Sequence, residues 1–283
     1  MDTEVTNDDQ LRIESQGGVK MRKKRITGTR EWAEKTANCV RGCGHNCLYC
    51  YGKCMAIRFG RKTKDNWHIE DLVTHQIDEI CRGKTARVMF PSTHDITPTT
   101  LEACTDAIKR MLAHGHFLLI VSKPHVECIK RLCAIFGGHR DRMLFRFTIG
   151  SADNQVLRFW EPNAPSFEER IECLRMARTA GFQTSVSCEP MLDDGAGKVI
   201  ENVMPHVTDS VWIGKMNRVR QTLAVNGASA DAIAKGESLM AVHNDVFIRS
   251  LYEDFKDMSA IKWKDSIKKI VGLDDPIAPG MDV

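Results

Sequence analysis

The sequence has no run of about 18 apolar residues, the length that a membrane-spanning helix requires. Residues 1–30 are polar and charged, and nothing in them is typical of a secretion signal. The net charge of +3 is too small to demand a nucleic-acid partner. We therefore expect a cytoplasmic protein without membrane association, with its cysteines reduced and with one large domain or two small ones.

The cysteines lack the distribution of a disulfide framework, because their number, 11, is odd and none lies in the last third of the chain. Five of them lie in the short stretch "CVRGCGHNCLYCYGKC", from Cys39 to Cys54. Three of these five have the spacing Cys43-x3-Cys47-x2-Cys50. A group this dense indicates a metal centre.

Two kinds of metal centre fit this spacing. Zinc sites usually combine two Cys-x2-Cys pairs, or one such pair with histidines. A second pair is missing here, but Cys39 and His45 are available as further ligands, so structural zinc stays an alternative. Three thiolates on one loop can instead hold three irons of a [4Fe–4S] cluster, which normally takes four cysteines. Such a cluster has one open iron, which suits catalysis.

The rest of the sequence predicts an α/β fold, because short apolar runs alternate with helical patterns after residue 85. A capping box formed by Ser166 and Glu169 marks the start of one helix. The alternation predicts right-handed βαβ units and a parallel sheet. With the cysteine segment as a further unit, about six βα units form either an open doubly wound sheet or a partial barrel, and both place the chemistry at the carboxyl ends of the strands. The predicted strands are 86–92, 116–122, 143–150, 182–190 and 210–215.

The same pattern predicts how the chain is divided. Residues 1–25 are expected to be a disordered tail, and "KMRKKR" at its end has five basic residues in six positions. Residues 26–215 form the predicted core. Residues 216–283 are expected to be a C-terminal helical extension packed on the core. Its apolar pattern consists of Leu239, Val242, Val246, Leu251, Phe255 and Met258.

The cysteine motif, with Tyr49 directly before its last cysteine, resembles the signature of radical S-adenosylmethionine enzymes. "LFRFTIG" (144–150), "EPNAPSFEERIE" (161–172) and "AGFQTSVSCEPM" (180–191) are, in that order, similar to spore photoproduct lyase and its relatives. The resemblance covers roughly residues 25–215. It implies a partial (β/α)6 barrel of the TIM type, S-adenosylmethionine as cofactor, and one [4Fe–4S] cluster on Cys43, Cys47 and Cys50.

The resemblance also implies where the cofactor binds. Tyr49 belongs to the motif itself. "FPSTHD" ends the strand where the family receives the cofactor's ammonium, so Ser92, Thr93 and Asp95 are candidates, since an ammonium needs acceptor oxygens. Capping of the next helix is the alternative for Ser92 and Thr93. Lys123 matches a lysine that meets the cofactor's carboxylate, and a plain surface lysine is its alternative.

Three later strand ends supply the remaining candidates. Thr148 matches a strand-end serine of the lyase and is expected at the ribose or the carboxylate, with Ser151 beside it. Glu189 is expected to reach the ribose hydroxyls or the substrate. Lys215 and Asn217 are expected to contact the substrate. No residue is assigned a catalytic role.

The implied activity is reductive cleavage of S-adenosylmethionine to a 5′-deoxyadenosyl radical, which takes a hydrogen atom from a substrate that the sequence does not identify. A nucleic-acid base, as in spore photoproduct lyase, is one expectation. The implied partner is an external one-electron reductant of the flavodoxin or ferredoxin type. The alternative is a non-catalytic iron–sulfur or zinc protein that binds a partner through its basic tail.

One residue of the lyase has no counterpart. As the family is understood, a cysteine in a segment reading "SCTSD" returns a hydrogen atom to the repaired thymine, and Ser92 stands in its place here. An O–H bond is too strong to give its hydrogen to a carbon radical. Cys104 and Cys188 are the remaining candidates for a donor, although neither lies at the matching strand end. We therefore expect a substrate other than the spore photoproduct.

Overall fold

The computed structural model describes residues 25–282. Its strands are β1 (Lys35–Thr36), β2 (Val40–Arg41), β3 (Asp71–Leu72), β4 (Arg87–Phe90), β5 (Phe117–Ser122), β6 (Met143–Thr148), β7 (Gln183–Cys188), β8 (Val211–Ile213) and β9 (Ile261–Trp263). Its helices are α1 (Tyr51–Arg58), α2 (His75–Arg82), α3 (Leu101–Ala113), α4 (Val126–Phe136), α5 (Asn154–Trp160), α6 (Phe167–Thr179), α7 (Ala196–Val203), α8 (Val219–Val225), α9 (Ala230–Val242), α10 (Asp245–Phe255) and α11 (Asp265–Val271). Within this range, the helices are too short or too polar to cross a membrane.

Seven strands form one parallel sheet in the order β1-β4-β5-β6-β7-β8-β9. The sheet curls into a half-barrel with flanking helices. β2 and β3 form a separate antiparallel pair next to the cysteine segment. The predicted α/β partial barrel is therefore confirmed.

The five predicted strands are present as β4 to β8, whereas the sequence pattern missed β1 and β9. β1 consists of the polar residues Lys35 and Thr36, and β9 has a lysine between its two apolar residues, so neither strand contains an apolar run. β9 lies in the predicted helical extension and pairs with β8, so that segment contributes to the same sheet. The boundary at residue 215 stays a prediction. The predicted N-terminal tail, apart from Arg25, lies outside the described residues.

Alternation along the strands separates two layers of packing. One set of strand side chains, including Phe90, Ile120 and Phe145, packs in a large core with helices such as α3, α4 and α6. The alternate set belongs to a smaller cluster on the inner side of the half-barrel. Its members are Trp32, Ala33, Met89, Leu119, Val121, Leu144 and Trp212. The inner side therefore has its own packed side chains along the strands, and the residues that follow the carboxyl ends of the strands remain available for a site.

The capping box predicted for α6 is only half formed. The Ser166 hydroxyl accepts a hydrogen bond from the Glu169 backbone N–H at 3.3 Å, as predicted. The Glu169 carboxylate does not return the bond, because it accepts the Val126 backbone N–H at 3.1 Å instead. This contact joins α6 to the start of α4.

The apolar pattern of the predicted helical extension is divided between two helices, α9 and α10. The Asn244 side chain accepts hydrogen bonds from the Val246 and Phe247 backbone N–H groups, which starts α10 and ends the helical path of α9. The break rotates the apolar pattern out of register. Val242 and Val246 consequently remain 45% and 79% exposed.

A buried ion pair ties the C-terminal strand to the start of the described chain. Lys264, directly after β9, is fully buried, and its Nζ lies 2.9 Å from the Glu31 carboxylate. It also donates to the Gly28 carbonyl at 2.8 Å and lies 4.1 Å from the centre of the Trp32 ring. Burial raises the pKa of Glu31 to about 7, although the Lys264 ammonium acts in the opposite direction. The pair links residues from the two ends of the described chain.

We expect Lys264→Ala to lower the free energy of unfolding by about 3–5 kcal/mol at pH 8, because Glu31 would then be a buried carboxylate without its partner. Urea unfolding monitored by tryptophan fluorescence measures the loss. Lys269→Ala is the matched control, since its pair with Asp265 (3.1 Å) is half exposed and should contribute no more than about 1 kcal/mol. Equal losses of unfolding free energy in Lys264→Ala and Lys269→Ala would contradict the conclusion that Lys264 is the buried partner of Glu31.

Candidate active site

The three motif cysteines lie on the loop between β2 and α1, and local turns shape that loop. The Cys43 carbonyl accepts the Asn46 N–H at 3.2 Å, and the Cys47 carbonyl accepts the Cys50 N–H at 3.3 Å. Gly42 has a φ of +109°, and a Cβ at this position would lie 2.0 Å from the Ile69 carbonyl oxygen. Only glycine fits there, so "RGCGHNC" can make this turn and most other sequences cannot.

The thiols of this loop are largely hidden from solvent. Cys43 and Cys47 are 4% and 5% exposed, and Cys50 is half-buried. Burial raises the pKa of each of the three thiols, for Cys43 well above the ordinary value. The Cys50 sulfur accepts the Lys53 backbone N–H at 3.3 Å, at the start of α1. Three buried sulfurs that disfavour free thiolates fit a soft metal centre, whose positive charge would stabilise the deprotonated ligands.

A buried ion pair joins two strand ends beside this loop. Asp95 follows β4 and Lys123 follows β5, and their side chains approach to 3.3 Å. The Lys123 backbone N–H also donates to Asp95 at 2.7 Å, and the Cys43 sulfur lies 3.8 Å from the carboxylate. Burial alone would raise the pKa of Asp95, but the Lys123 ammonium and the His45 ring outweigh it and hold that pKa well below its usual range. Asp95 is therefore a carboxylate in contact with the cysteine loop.

Two histidines extend the contacts of Asp95. His45 Nδ1 lies 2.8 Å from Asp95 Oδ2, and His45 Nε2 lies 2.8 Å from His125 Nε2. One donor atom each from Cys43, His45 and Asp95 lie within 4.8 Å of one another. Sulfur, imidazole and carboxylate at this distance suit a single zinc ion, so the zinc alternative has a geometric basis.

Tyr49 is held by a buried charged network that the strand pattern did not reveal. Its hydroxyl donates to the Glu161 carboxylate, and burial raises the pKa of Tyr49 well above its ordinary value. Glu161 forms a 2.5 Å ion pair with Arg170, and both side chains are fully buried. Arg170 also donates to the Thr148 carbonyl at 3.1 Å, which ties the cysteine loop to the end of β6. Glu161 and Arg170 both lie in "EPNAPSFEERIE", one of the segments that resemble spore photoproduct lyase, and this resemblance was the sequence feature that could have indicated them.

Asn38 organises the segment that follows β4. Its side-chain oxygen accepts the Ser92 and Thr93 backbone N–H groups at 2.9 and 2.8 Å, and its amide donates to the Ser92 hydroxyl at 2.9 Å. Ser92 and Thr93 do not cap the next helix, because the capping box there is formed by Thr97 and Thr100. Sequence reasoning missed Asn38, which directly precedes the cysteine-rich stretch.

The remaining candidates lie apart from these contacts. Ser151 is fully buried, and its hydroxyl binds the Asp193 carboxylate. Glu189 faces Lys264 at 3.8 Å, and burial raises its pKa despite the opposing effect of that ammonium. The Lys215 backbone N–H donates to the Ser266 hydroxyl at 3.0 Å. Asn217, the second predicted substrate contact, is exposed.

No protein-family model matches the sequence. An uncharacterised protein of Acidianus two-tailed virus, ORF301, is 26% identical over an alignment of 174 residues, and the match covers 57% of this chain and 56% of that protein. A cysteine-to-serine mutant of spore photoproduct lyase superposes with a TM-score of 0.52 at 19% identity, over 74% of this chain and 65% of the lyase. SuiB of Streptococcus suis, bound to S-adenosylmethionine, superposes with a TM-score of 0.50 at 8% identity, over 82% of this chain and 50% of SuiB.

The chain thus spans between half and two thirds of the length of these proteins. Both structural neighbours are radical S-adenosylmethionine enzymes. Likeness at these identities shows a shared fold. The half-barrel implied by the resemblance is therefore confirmed, and with it the likeness to the spore photoproduct lyase branch at the level of the fold.

The Asp95–Lys123 contact leads to a double-mutant prediction. We expect Asp95→Asn and Lys123→Met to show a coupling of about 1–3 kcal/mol in the free energy of unfolding, because each single change leaves the other buried group without its partner. The matched control is the exposed pair Asp78–Arg110 (2.5 Å), changed to Asn and Met, which should couple by no more than about 1 kcal/mol. If the two double-mutant cycles give the same coupling energy, Asp95 and Lys123 do not depend on each other as buried partners.

Proposed function

We propose that this chain is a radical S-adenosylmethionine enzyme with a single [4Fe–4S] cluster. The observation that carries the proposal is the meeting of the cysteine loop with the Asp95–Lys123 pair at the carboxyl end of a parallel half-barrel. Ligands in such sheets bind at the carboxyl ends of the strands. The loop supplies metal ligands, and the pair beside it supplies one negative and one positive charge.

Cys43, Cys47 and Cys50 would hold the cluster, and one iron would remain without a protein ligand. When bound, the cluster supplies one electron for cleavage of S-adenosylmethionine, whose 5′-deoxyadenosyl fragment then takes a hydrogen atom from the substrate. The chain's own contribution is to keep Cys43 and Cys47 buried and Cys50 half-buried, and to position the cofactor. The Lys53 N–H, directed at the Cys50 sulfur, favours the thiolate form of that ligand.

Asp95 and Lys123 match the amino-acid end of the cofactor. A zwitterionic α-amino acid carries an ammonium and a carboxylate on neighbouring atoms, and the buried pair offers the opposite charges in contact with the loop. We propose that the cofactor inserts between them, with its ammonium toward Asp95 and its carboxylate toward Lys123. The Ser92–Thr93 segment, fixed by Asn38, would add acceptor oxygens near the ammonium.

The other strand ends would bind the rest of the cofactor and the substrate. Tyr49, held by Glu161, would stay beside the cofactor, with Lys123 Nζ 6.0 Å from its ring centre. Thr148 would reach the ribose or carboxylate, with Ser151 behind it. Glu189 lies 3.8 Å from Lys264, whose ammonium contacts the Trp32 and Trp212 rings of the inner cluster, which supports a role toward the ribose or the substrate. The tightly packed base beneath, with Trp32 and Trp212, would keep water away from reactive species.

The substrate and the reductant belong to the same proposal. One structural neighbour is a spore photoproduct lyase, and SuiB has been solved with a precursor peptide, so these neighbours support a nucleic-acid base or a peptide as the substrate class. Residues 35–64, which include the cysteine loop, contain no aspartate or glutamate. The exposed basic residues Arg58, Arg61 and Lys64 of this stretch support an acidic protein reductant of the flavodoxin or ferredoxin type.

A metal analysis of the anaerobically purified protein tests the cluster. We expect about four irons per chain in the parent protein, since a [4Fe–4S] cluster holds four. Cys43→Ala, Cys47→Ala and Cys50→Ala should each lose this iron, and with it the slow dithionite-dependent release of 5′-deoxyadenosine. Cys54→Ala is the matched control, because Cys54 is equally buried (5%) but lies outside the motif. Full iron in Cys47→Ala would refute the ligand assignment.

The second candidate is a zinc protein, favoured by the approach of Cys43, His45 and Asp95. The same measurement separates the two functions. His45→Ala should keep the iron if the cluster is bound by three cysteines, whereas one zinc per chain in the parent, lost in His45→Ala, would establish the zinc protein.

The positions of Cys104 and Cys188 bear on whether this chain could carry out the spore photoproduct lyase reaction. Cys104 and Cys188 are fully buried in the core under the helices, on the outer side of the sheet, so neither faces the inner side of the half-barrel. We expect the reduced enzyme and cofactor to give at most single-event cleavage of DNA that carries the spore photoproduct. Multiple-turnover recovery of intact thymines, measured by chromatography of digested DNA, would overturn this expectation.

A further inference from the structure

Two cysteines that the proposed function does not use lie in contact. The sulfurs of Cys39 and Cys104 are 3.6 Å apart, although the residues are 65 positions apart in the sequence. Cys39 lies in the connection between β1 and β2, and Cys104 lies in the first turn of α3. They are 5% and 0% exposed. Within residues 25–282, this is the one hydrogen-bonding contact between two cysteine sulfurs.

Cys39 is also the more accessible of the two and has the more acidic thiol. It lines a cavity of about 400 Å³ between the β2–β3 pair, α2 and α3, together with residues such as Ile77 and Arg110. A cavity of this size admits small molecules. The pKa of the Cys39 thiol is lowered, chiefly by the hydrogen bond from Cys104 and also by the nearby His94 ring. These two effects outweigh burial, which acts in the opposite direction. Burial raises the pKa of the other core thiols instead, for example that of Cys128 to about 12.

We propose that Cys39 and Cys104 form a peroxide-oxidisable dithiol that closes reversibly to a disulfide. The sulfur of Cys39 attacks one oxygen of the peroxide, the O–O bond breaks, and a sulfenic acid forms with release of water. The sulfur of Cys104 then attacks the Cys39 sulfur, the S–O bond breaks, and a second water leaves with the remaining thiol proton. The two thiols lose two electrons in total, hydrogen peroxide gains them, and an external dithiol reverses the reaction.

The disulfide would join the start of the cysteine-rich stretch to α3. An S–S bond is about 2.05 Å long, so the two sulfurs must approach by roughly 1.5 Å. The residue before Cys39 is Asn38, which holds Ser92 and Thr93 in place. Oxidation at this pair would therefore act on the segment next to the candidate cofactor site, but the pair itself does not depend on a cluster being present.

Peptide mapping tests the proposal directly, because each cysteine lies in a tryptic peptide that contains no other cysteine. These peptides are 36–41 and 88–109, whereas the motif cysteines share the peptide 42–53. The full-length anaerobic protein is treated with hydrogen peroxide, alkylated, digested and analysed by mass spectrometry. We expect the peptides 36–41 and 88–109 to appear linked, with a mass lower by two hydrogens than their sum, and to separate after dithiothreitol.

Two variants serve as controls for this mapping. Cys39→Ser should lose the linked peptide, whereas Cys133→Ser, a change at another buried thiol of the same core, should keep it. If Cys39→Ser fails to fold, the presence or absence of the linked peptide in the peroxide-treated parent protein still decides the proposal. Complete alkylation of both peptides after peroxide treatment, or linkage of 36–41 to 42–53 instead, would overturn the proposal.

Discussion

The buried carboxylate of Asp95 connects the parts of the candidate site. It accepts the backbone N–H of Lys123 at 2.7 Å, pairs with the Lys123 ammonium at 3.3 Å, and lies 2.8 Å from the His45 ring. The end of β4, the end of β5 and the cysteine loop therefore meet at one residue. Loss of this charge would remove the partner of Lys123 and a contact of the loop at the same time.

Buried charge recurs at the other connections of the half-barrel. Glu161 and Arg170 join the cysteine loop to α6 and the end of β6, and Lys264 with Glu31 joins β9 to the turn before β1. Buried ion pairs contribute little net stability, since desolvation offsets most of the attraction. They restrict geometry, however, because an unpaired partner in the interior is costly. We infer that these pairs set the positions of loops and strand ends, whereas the apolar core supplies the stability.

The two groups of cysteines in this region differ in their surroundings. The motif sulfurs lie on a loop beside strand ends, in a region without acidic residues along the chain, which suits metal binding and electron transfer. Cys39 and Cys104 lie on the other side of the sheet, in the core under α3. Asn38 bridges the two regions, because it precedes Cys39 and holds the segment at Ser92. The proposed metal chemistry and the proposed thiol chemistry would thus be linked through one short connection.

Local patterns in the sequence determined the secondary structure and the metal motif. Strands β4 to β8 were predictable because each is a short apolar run between helical patterns, which is a short-range signal. Cys43, Cys47 and Cys50 were recognisable because the motif spans only eight residues. A resemblance between such motifs also sufficed to predict the half-barrel. β9 was missed because Lys262 stands between its two apolar residues, so the strand does not read as an apolar run.

The tertiary structure alone decided which polar side chains meet. Asp95 with Lys123, Glu161 with Arg170, and Cys39 with Cys104 are contacts between separate elements, and no spacing in the sequence encodes them. A charged residue in a helix such as α6 looks the same in the sequence whether it faces water or a buried partner. The physical reason is that burial and pairing of a charge depend on the packing of whole elements, which the chain settles only when the sheet has closed.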